Sequence, residues 1–134
     1  MKQHITPEQL QELTEEQKER LREWWVVREG DRFFAKGKWE DIAGESAPGC
    51  VESYDFDGES WDKKDCLPLL SVGQCIELLE EKDPGSWAMN RSKSGGWYIT
   101  SSNLYGPKYH IITDGGKDFV ELIDALWQAV KEVL

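Results

Sequence analysis

Asp118-Phe-Val-Glu-Leu-Ile-Asp-Ala-Leu-Trp-Gln-Ala-Val-Lys-Glu-Val-Leu134 is the stretch whose reading decides the fold. Phe119, Leu122, Ile123, Leu126, Val130, Val133 and Leu134 recur at three- and four-residue steps, one apolar stripe down a helix. Glu121, Asp124, Gln128, Lys131 and Glu132 fall on its wetter side. Burying a Leu-class side chain stabilises by about 1.5–3 kcal/mol, so this stripe can anchor a small domain. Its expected partner is Ser71–Glu81, where Ser71 is placed as N-cap and Ile76, Leu78 and Leu79 form the apolar side.

Working outward, Thr6-Pro7-Glu8-Gln9 and Thr14-Glu15-Glu16-Gln17 each carry a capping-box signature. They predict two short helices meeting at Leu13-Thr14, with Gly30-Asp31 as the stop. Asp31–Ala35, a Lys36-Gly37 turn and Lys38–Ile42 predict a hairpin. Val51–Phe56 and Glu59–Trp61 predict a second one about Asp57-Gly58. Leu67-Pro-Leu-Leu70 reads as a lead into the Ser71 helix. Ser86–Arg91, Trp97–Thr100 and Tyr109–Thr113, with turns at Ser92–Gly96 and Leu104–Pro107, predict a three-stranded meander. Thr113-Asp114-Gly115-Gly116 is expected to start the final helix. The fold class is therefore α+β: N-terminal helices, an antiparallel sheet of about five to seven strands, and two packed amphipathic helices. At 134 residues the chain fits one domain, 1–134, with one core.

Composition narrows the function classes. With 39% hydrophobic residues and 7 Trp, the chain can fold. No apolar run reaches the roughly 18–20 residues of a membrane span, and the Met1-Lys2-Gln3-His4 start carries no signal-peptide core. A cytoplasmic address is expected. Cys50, Cys66 and Cys75 are an odd, irregular set, which reads as reduced thiols, Cys75 in a core. They form no Cys-x2-4-Cys clip, and no metal or cofactor is expected. Asp55, Asp57, Glu59 and Asp62 invite calcium. However, aligning Asp57-Gly58 with the fifth and sixth positions of an EF-hand loop puts Lys64 at the twelfth, where a bidentate Glu is required.

The net charge of −10 argues against duplex nucleic acid, whose phosphates would be repelled. It suits solubility, docking on a basic protein surface, or mimicry of a nucleic acid. One window breaks the pattern. From Pro84 to Thr113 there is no Asp or Glu, and Arg91, Lys93 and Lys108 make it +3. The remainder holds 13 basic against 26 acidic residues, or −13. The window also carries Trp87, Trp97, Tyr98, Tyr105, Tyr109, several hydroxyls and Gly95-Gly96. Strands favour aromatics, and hairpin turns favour Ser, Gly and Lys. The same residues suit a planar anion. Rings stack on a base at about 1–3 kcal/mol each, cations neutralise phosphate, and a Ser/Gly turn can aim amides at oxygens. The candidate contacts are Arg91, Lys93 and Lys108 for charge, with Trp97, Tyr98 and Tyr105 for stacking.

Catalytic motifs are missing: no Gly-x-Ser-x-Gly, phosphate loop, His-Glu-x-x-His or Gly-x-Gly-x-x-Gly occurs. Gly115-Gly116-Lys117 lacks the rest of a phosphate loop, and His110 reads as a hydrogen-bonded strand residue. The expectation is a protein that binds without catalysing.

Two groups of segments carry a resemblance. One is Ile5-Thr6-Pro7-Glu8-Gln9-Leu10 with Glu16–Lys18, Leu21–Trp25 and Gly30-Asp31. The other is Leu67–Gln74, Ile76–Leu79 and Glu121–Glu132. Over about half the chain they resemble small uncharacterised proteins of bacteriophages and prophages of Gram-positive bacteria. The resemblance implies a context in a bacterial host cell and no activity. Small acidic phage proteins often act by binding, as antagonists of host defence. Three roles follow: sequestering a small anionic nucleotide through the 84–113 window, blocking a basic host protein through the acidic remainder, or serving as a structural or assembly accessory. A homo-oligomer is compatible with each.

Overall fold

The computed structural model describes residues 1–55, 58–84, 87–102 and 109–134, excepting the side chains of 102 and 109–111. The fold is α+β, with every strand pair antiparallel. The chain divides into two compact units: Thr6–Leu70, and Met1–Ile5 with Ser71–Leu134.

In the unit Thr6–Leu70, two helices form where the two capping boxes predict them, α1 (Pro7–Leu10) and α2 (Glu15–Trp24). Thr6 Oγ1 accepts from the Gln9 amide at 3.2 Å while Gln9 Oε1 accepts from the Thr6 amide at 2.9 Å. Thr14 and Gln17 repeat the exchange at 3.1 and 2.9 Å. Thr14 is extended, with ψ 164, so the helical path breaks there. Helix α2 ends at Trp24, ahead of the expected Gly30-Asp31 stop. The cause is Trp25, which turns into the core at 1% exposure. Its indole N–H donates to Asp31 Oδ2 at 2.9 Å, and the same oxygen takes the Arg28 amide at 3.0 Å.

The first hairpin pairs β1 (Arg32–Ala35) with β2 (Trp39–Ile42). Lys36 and Gly37 both have positive φ (52 and 66), and the Lys38 amide donates to the Ala35 carbonyl at 3.0 Å. That is the geometry whose twist suits a hairpin. The second hairpin pairs β3 (Cys50–Glu52) with β4 (Ser60–Asp62); Asp57 of its expected turn lies outside the described residues. A 3-10 turn (Lys63–Asp65) then delivers β5 (Cys66–Pro68) to the other side of β1. This strand lies in the segment expected only to lead into a helix. Pro68 fits it because an edge strand has a side needing no donor. The strands of this unit form two small sheets, β2-β1-β5 and β3-β4, in place of part of one larger sheet, with an isolated bridge, Ala43↔Ser53, between the ends of β2 and β3. Trp25, Phe33, Ala35, Ala43, Val51, Trp61 and Cys66 form the core beneath, with Phe33 edge-on to Trp61 at 5.3 Å and 67°.

In the other unit, α3 (Val72–Lys82) starts at Ser71, which exchanges capping bonds with Gln74 at 3.1 and 3.0 Å. It packs on α4 (Leu122–Val133). The meander forms as predicted, with order β6 (Trp87–Arg91), β7 (Trp97–Ser102), β8 (Tyr109–Ile112). The expected turn at Leu104–Pro107 lies outside the described residues. Ile99 and Ile112 are buried where β7 and β8 meet α4.

The final helix starts later than Thr113–Gly116 predicts. Gly115 and Gly116 have φ 58 and 90, the left-handed region that breaks a helix. Asp114 and Lys117 bridge instead, and Phe119 then returns to β7. Its amide donates to the Trp97 carbonyl at 2.8 Å, and the Trp97 amide donates back at 2.7 Å. Ile112 opposes Ile99 and Phe119 opposes Trp97, so the residues between loop out of the strand line. Phe119 thus leaves the helical stripe. Ile123, Leu126, Val130 and Leu134 are buried as expected, while Leu122 and Val133 are half-buried. Ala125, Trp127 and Ala129 are buried too, so α4 is covered on more than one side. Lys2 meets the helix start, with its amide 3.2 Å from Glu121 Oε2 and its ammonium 2.6 Å from Asp124 Oδ1.

Candidate ligand site at the end of the meander

The looped-out segment and the β6–β7 turn lie side by side and enclose an open cleft of about 480 Å³. Ser94, Gly95, Gly96, Gly116, Lys117, Asp118 and Val120 line it. The two approach closely because position 96 has no side chain: a Cβ on Gly96 would sit 2.5 Å from the Asp118 Cβ. Two small-residue turns far apart in sequence therefore share one recess.

Strand alternation sorts the candidate residues between the two faces of the sheet. Arg91 and Trp97 are directly opposite in the β6–β7 register, and the guanidinium lies over the indole ring at 5.3 Å. They share a face with Ile99, and Phe119 joins them there. Tyr98 points to the opposite face, beside Asn90 in the register. Trp97 and Tyr98, two of the three rings read as stacking partners, thus belong to different sides of the sheet. Gly96, Asp118 and Val120 flank the Trp97–Phe119 bridge and line the cleft, whereas Arg91, Trp97 and Tyr98 are not among its lining residues. Lys93 is exposed in the turn itself. Tyr105 and Lys108 lie outside the described residues.

Lys117 and Asp118 stand in the cleft although neither was among the candidate contacts. In the sequence Gly115-Gly116-Lys117 reads as a helix start in preference to a phosphate contact, because Asp114 and Asp118 would repel an anion. Among the described residues, the Asp118 carboxylate, half-buried, takes no hydrogen bond and no ion pair. Val120 is 87% exposed at the rim.

The glycine amides do not make an anion nest. Gly95 N–H donates to the Ser92 carbonyl at 3.0 Å and Gly96 N–H to Ser92 Oγ at 3.2 Å. Gly116 N–H donates to Thr113 Oγ1 at 3.2 Å and Lys117 N–H to the Asp114 carbonyl at 3.0 Å. The turns use these donors to close themselves. The charged side chains at the cleft are Lys117 and Asp118 in its lining, with Lys93 in the adjoining turn, and the Ser94 hydroxyl is bonded to Ser92 Oγ at 2.8 Å.

Elsewhere, Cys66 and Cys75 are fully buried and Cys50 is half-buried. Burial pushes the Cys75 thiol up to about 12. Burial first, with Asp65 next, pushes Cys66 up to about 11. Neither is a nucleophile near neutral pH. Among the described residues no group of three or more His, Cys, Asp or Glu is placed to hold a metal ion, and no helix is long and apolar enough to cross a membrane. No protein-family model, curated protein or solved structure matches the chain, so the site is read from its own geometry.

Proposed function

We propose that the protein acts by binding, without chemistry, and that the cleft at the meander end holds a small anionic ligand of nucleotide type. The observation that carries this reading is the meeting of the Ser94–Gly96 turn, from the acid-free stretch 84–113, with the Gly116–Val120 segment, which brings Lys117 and Asp118, in one recess. Its volume is in the range of small-molecule sites, about 300–1,000 Å³. Lys117 and Lys93 supply charge for phosphate, and Tyr98 supplies a ring. In the phage or prophage setting that the scaffold helices resemble, such a protein sequesters a host defence signal in the bacterial cytoplasm. Titration with a nucleotide panel, including cyclic and ADP-ribose-type compounds, tests it by Trp fluorescence and melting temperature. At least one compound should shift both, and be recovered intact. A panel that moves neither overturns the reading.

A second reading is supported by a different observation. Residues 6–70 carry 17 acidic against 9 basic residues, a net −8, while the other unit holds 9 against 7, a net −2. The acidic unit also leaves Trp39, Ile42 and Tyr54 exposed, at 49, 41 and 64%. Aromatic anchors in an acidic surround suit docking on a basic host protein. Capture of such a protein should then weaken steeply with salt. A low-salt pull-down from host extract that recovers no basic protein overturns this reading.

A further inference from the structure

We infer that Asp118 reads the base of the bound nucleotide and selects guanine. The inference rests on the cleft reading above and adds what that reading leaves open, the identity of the ligand's planar part. The cleft holds charges of both signs: Lys117 and its sequence neighbour Asp118 line the same recess. A plain anion site has no use for a carboxylate, which would repel the ligand. A ligand that is anionic at one end and donor-rich at the other uses both.

An ionised carboxylate only accepts, and its two oxygens match two parallel N–H groups. Among the common bases, guanine alone presents adjacent ring and amino donors on one edge, N1–H and the 2-amino group. Adenine and cytosine set a ring acceptor beside their amino donor, and uracil flanks its ring N–H with two carbonyls. Asp118 is half-buried and among the described residues has no competing partner. Its Cβ is packed against the Gly96 backbone, which limits where the carboxylate can move. Tyr98, two residues along the chain from Gly96, is the ring for the base to stack on, and Lys117 and Lys93 remain for the phosphates. The amides of Gly95, Gly96, Gly116 and Lys117 are already spent, which shifts the discrimination among ligands toward side chains.

The experiment measures Kd for GDP, ADP, CDP and xanthosine diphosphate with the full chain and with Asp118→Asn, each checked for an unchanged melting temperature. The full chain should bind GDP about 10- to 100-fold more tightly than ADP or CDP, the discrimination a bidentate base contact supplies. In Asp118→Asn an amide N–H faces the 2-position, so preference should pass to xanthine, which carries a carbonyl there. The xanthine-to-guanine ratio is the readout, because removing one negative charge tightens every anionic ligand alike. If nucleotides bind with a guanine-to-adenine ratio near one, or Asp118→Asn leaves the ratios unchanged, the inference falls and the cleft reading stands. If no nucleotide binds the full chain, both fall.

Discussion

The unit Thr6–Leu70 and the meander of the other unit use charged side chains in different ways. In the first, carboxylates and hydroxyls serve the backbone: Thr6 and Thr14 cap helices, and Asp31 holds the Trp25 indole and the Arg28 amide together. Its surplus of acid faces solvent alongside Trp39, Ile42 and Tyr54. In the meander the hydroxyls of Ser92 and Thr113 also take turn amides, but the charged side chains Lys93, Lys117 and Asp118 are left to line or flank a recess. The contrast teaches where specificity can reside. A surface rich in one charge steers partners of the other sign, whereas a recess with both signs can choose among small molecules.

The largest effects should come from the cores, and they test whether each unit is anchored where the packing says. Phe33→Ala removes the ring edge-on to Trp61, and Leu126→Ala hollows the fully buried side of α4. Each should cost about 3–5 kcal/mol in urea unfolding, the range for large-to-small changes in a packed core. A Leu126→Ala cost below about 1 kcal/mol would show that the site collapses freely and that α4 is no anchor.

That anchor was legible from Ile123, Leu126 and Val130 alone, since a 3.6-residue period needs no tertiary information. The capping boxes at Thr6, Thr14 and Ser71 were equally plain, because their bonds reach only three residues along the chain. What the sequence concealed was long-range. Cys66–Pro68 becomes a strand only because β1 offers a free side. Phe119 sits at a helical spacing yet pairs with Trp97, and nothing local announces a partner so far back in the chain. The site follows the same rule. Charge reversal marked the meander, but the recess depends on residues 116–120 beyond the window, and the separation of Trp97 from Tyr98 depends on strand alternation.

The thiols give each unit one internal reporter, Cys66 in the first and Cys75 in the second. Both have folded pKa values raised above the ordinary thiol value of 9.0. The folded state therefore keeps its proton where the unfolded state loses it. Their contribution is fully present below about pH 9 and is lost as pH rises toward about 11 for Cys66 and 12 for Cys75. Across that window each thiol should lower stability by about 1.4 kcal/mol per pH unit. Urea midpoints at pH 8, 9.5 and 10.5, in the parent and in Cys66→Ala and Cys75→Ala, check this. Equal slopes in all three would remove both thiols from the account.

Gly96→Ala probes the recess without touching either core. The new methyl meets the Asp118 Cβ at 2.5 Å, so the turn and the looped-out segment must part. The expected cost is about 1–3 kcal/mol, the range for overpacking. In an Asp118→Gly background the same change should cost far less, because the atom it strikes is gone. A cost that persists there would place the strain elsewhere in the hairpin.

The smallest effect compares two matched pairs. Lys38 lies over Trp39 and Arg91 over Trp97, each at 5.3 Å. Trp39 is half exposed on β2, whereas Trp97 is half-buried on the central strand β7. Water competes for a cation over the first ring more than over the second, and a guanidinium stacks on an indole better than an ammonium does. Double-mutant cycles should therefore give about 0.5 kcal/mol for Lys38–Trp39 and about 1 kcal/mol for Arg91–Trp97. Added salt should weaken the first pair more. Since Lys117 lines the cleft and Arg91 does not, Arg91→Ala should leave ligand affinity within about twofold, while Lys117→Ala should reduce it by tenfold or so through loss of a charge-assisted phosphate contact. Reversal of that order would move the binding site to Arg91 and Trp97.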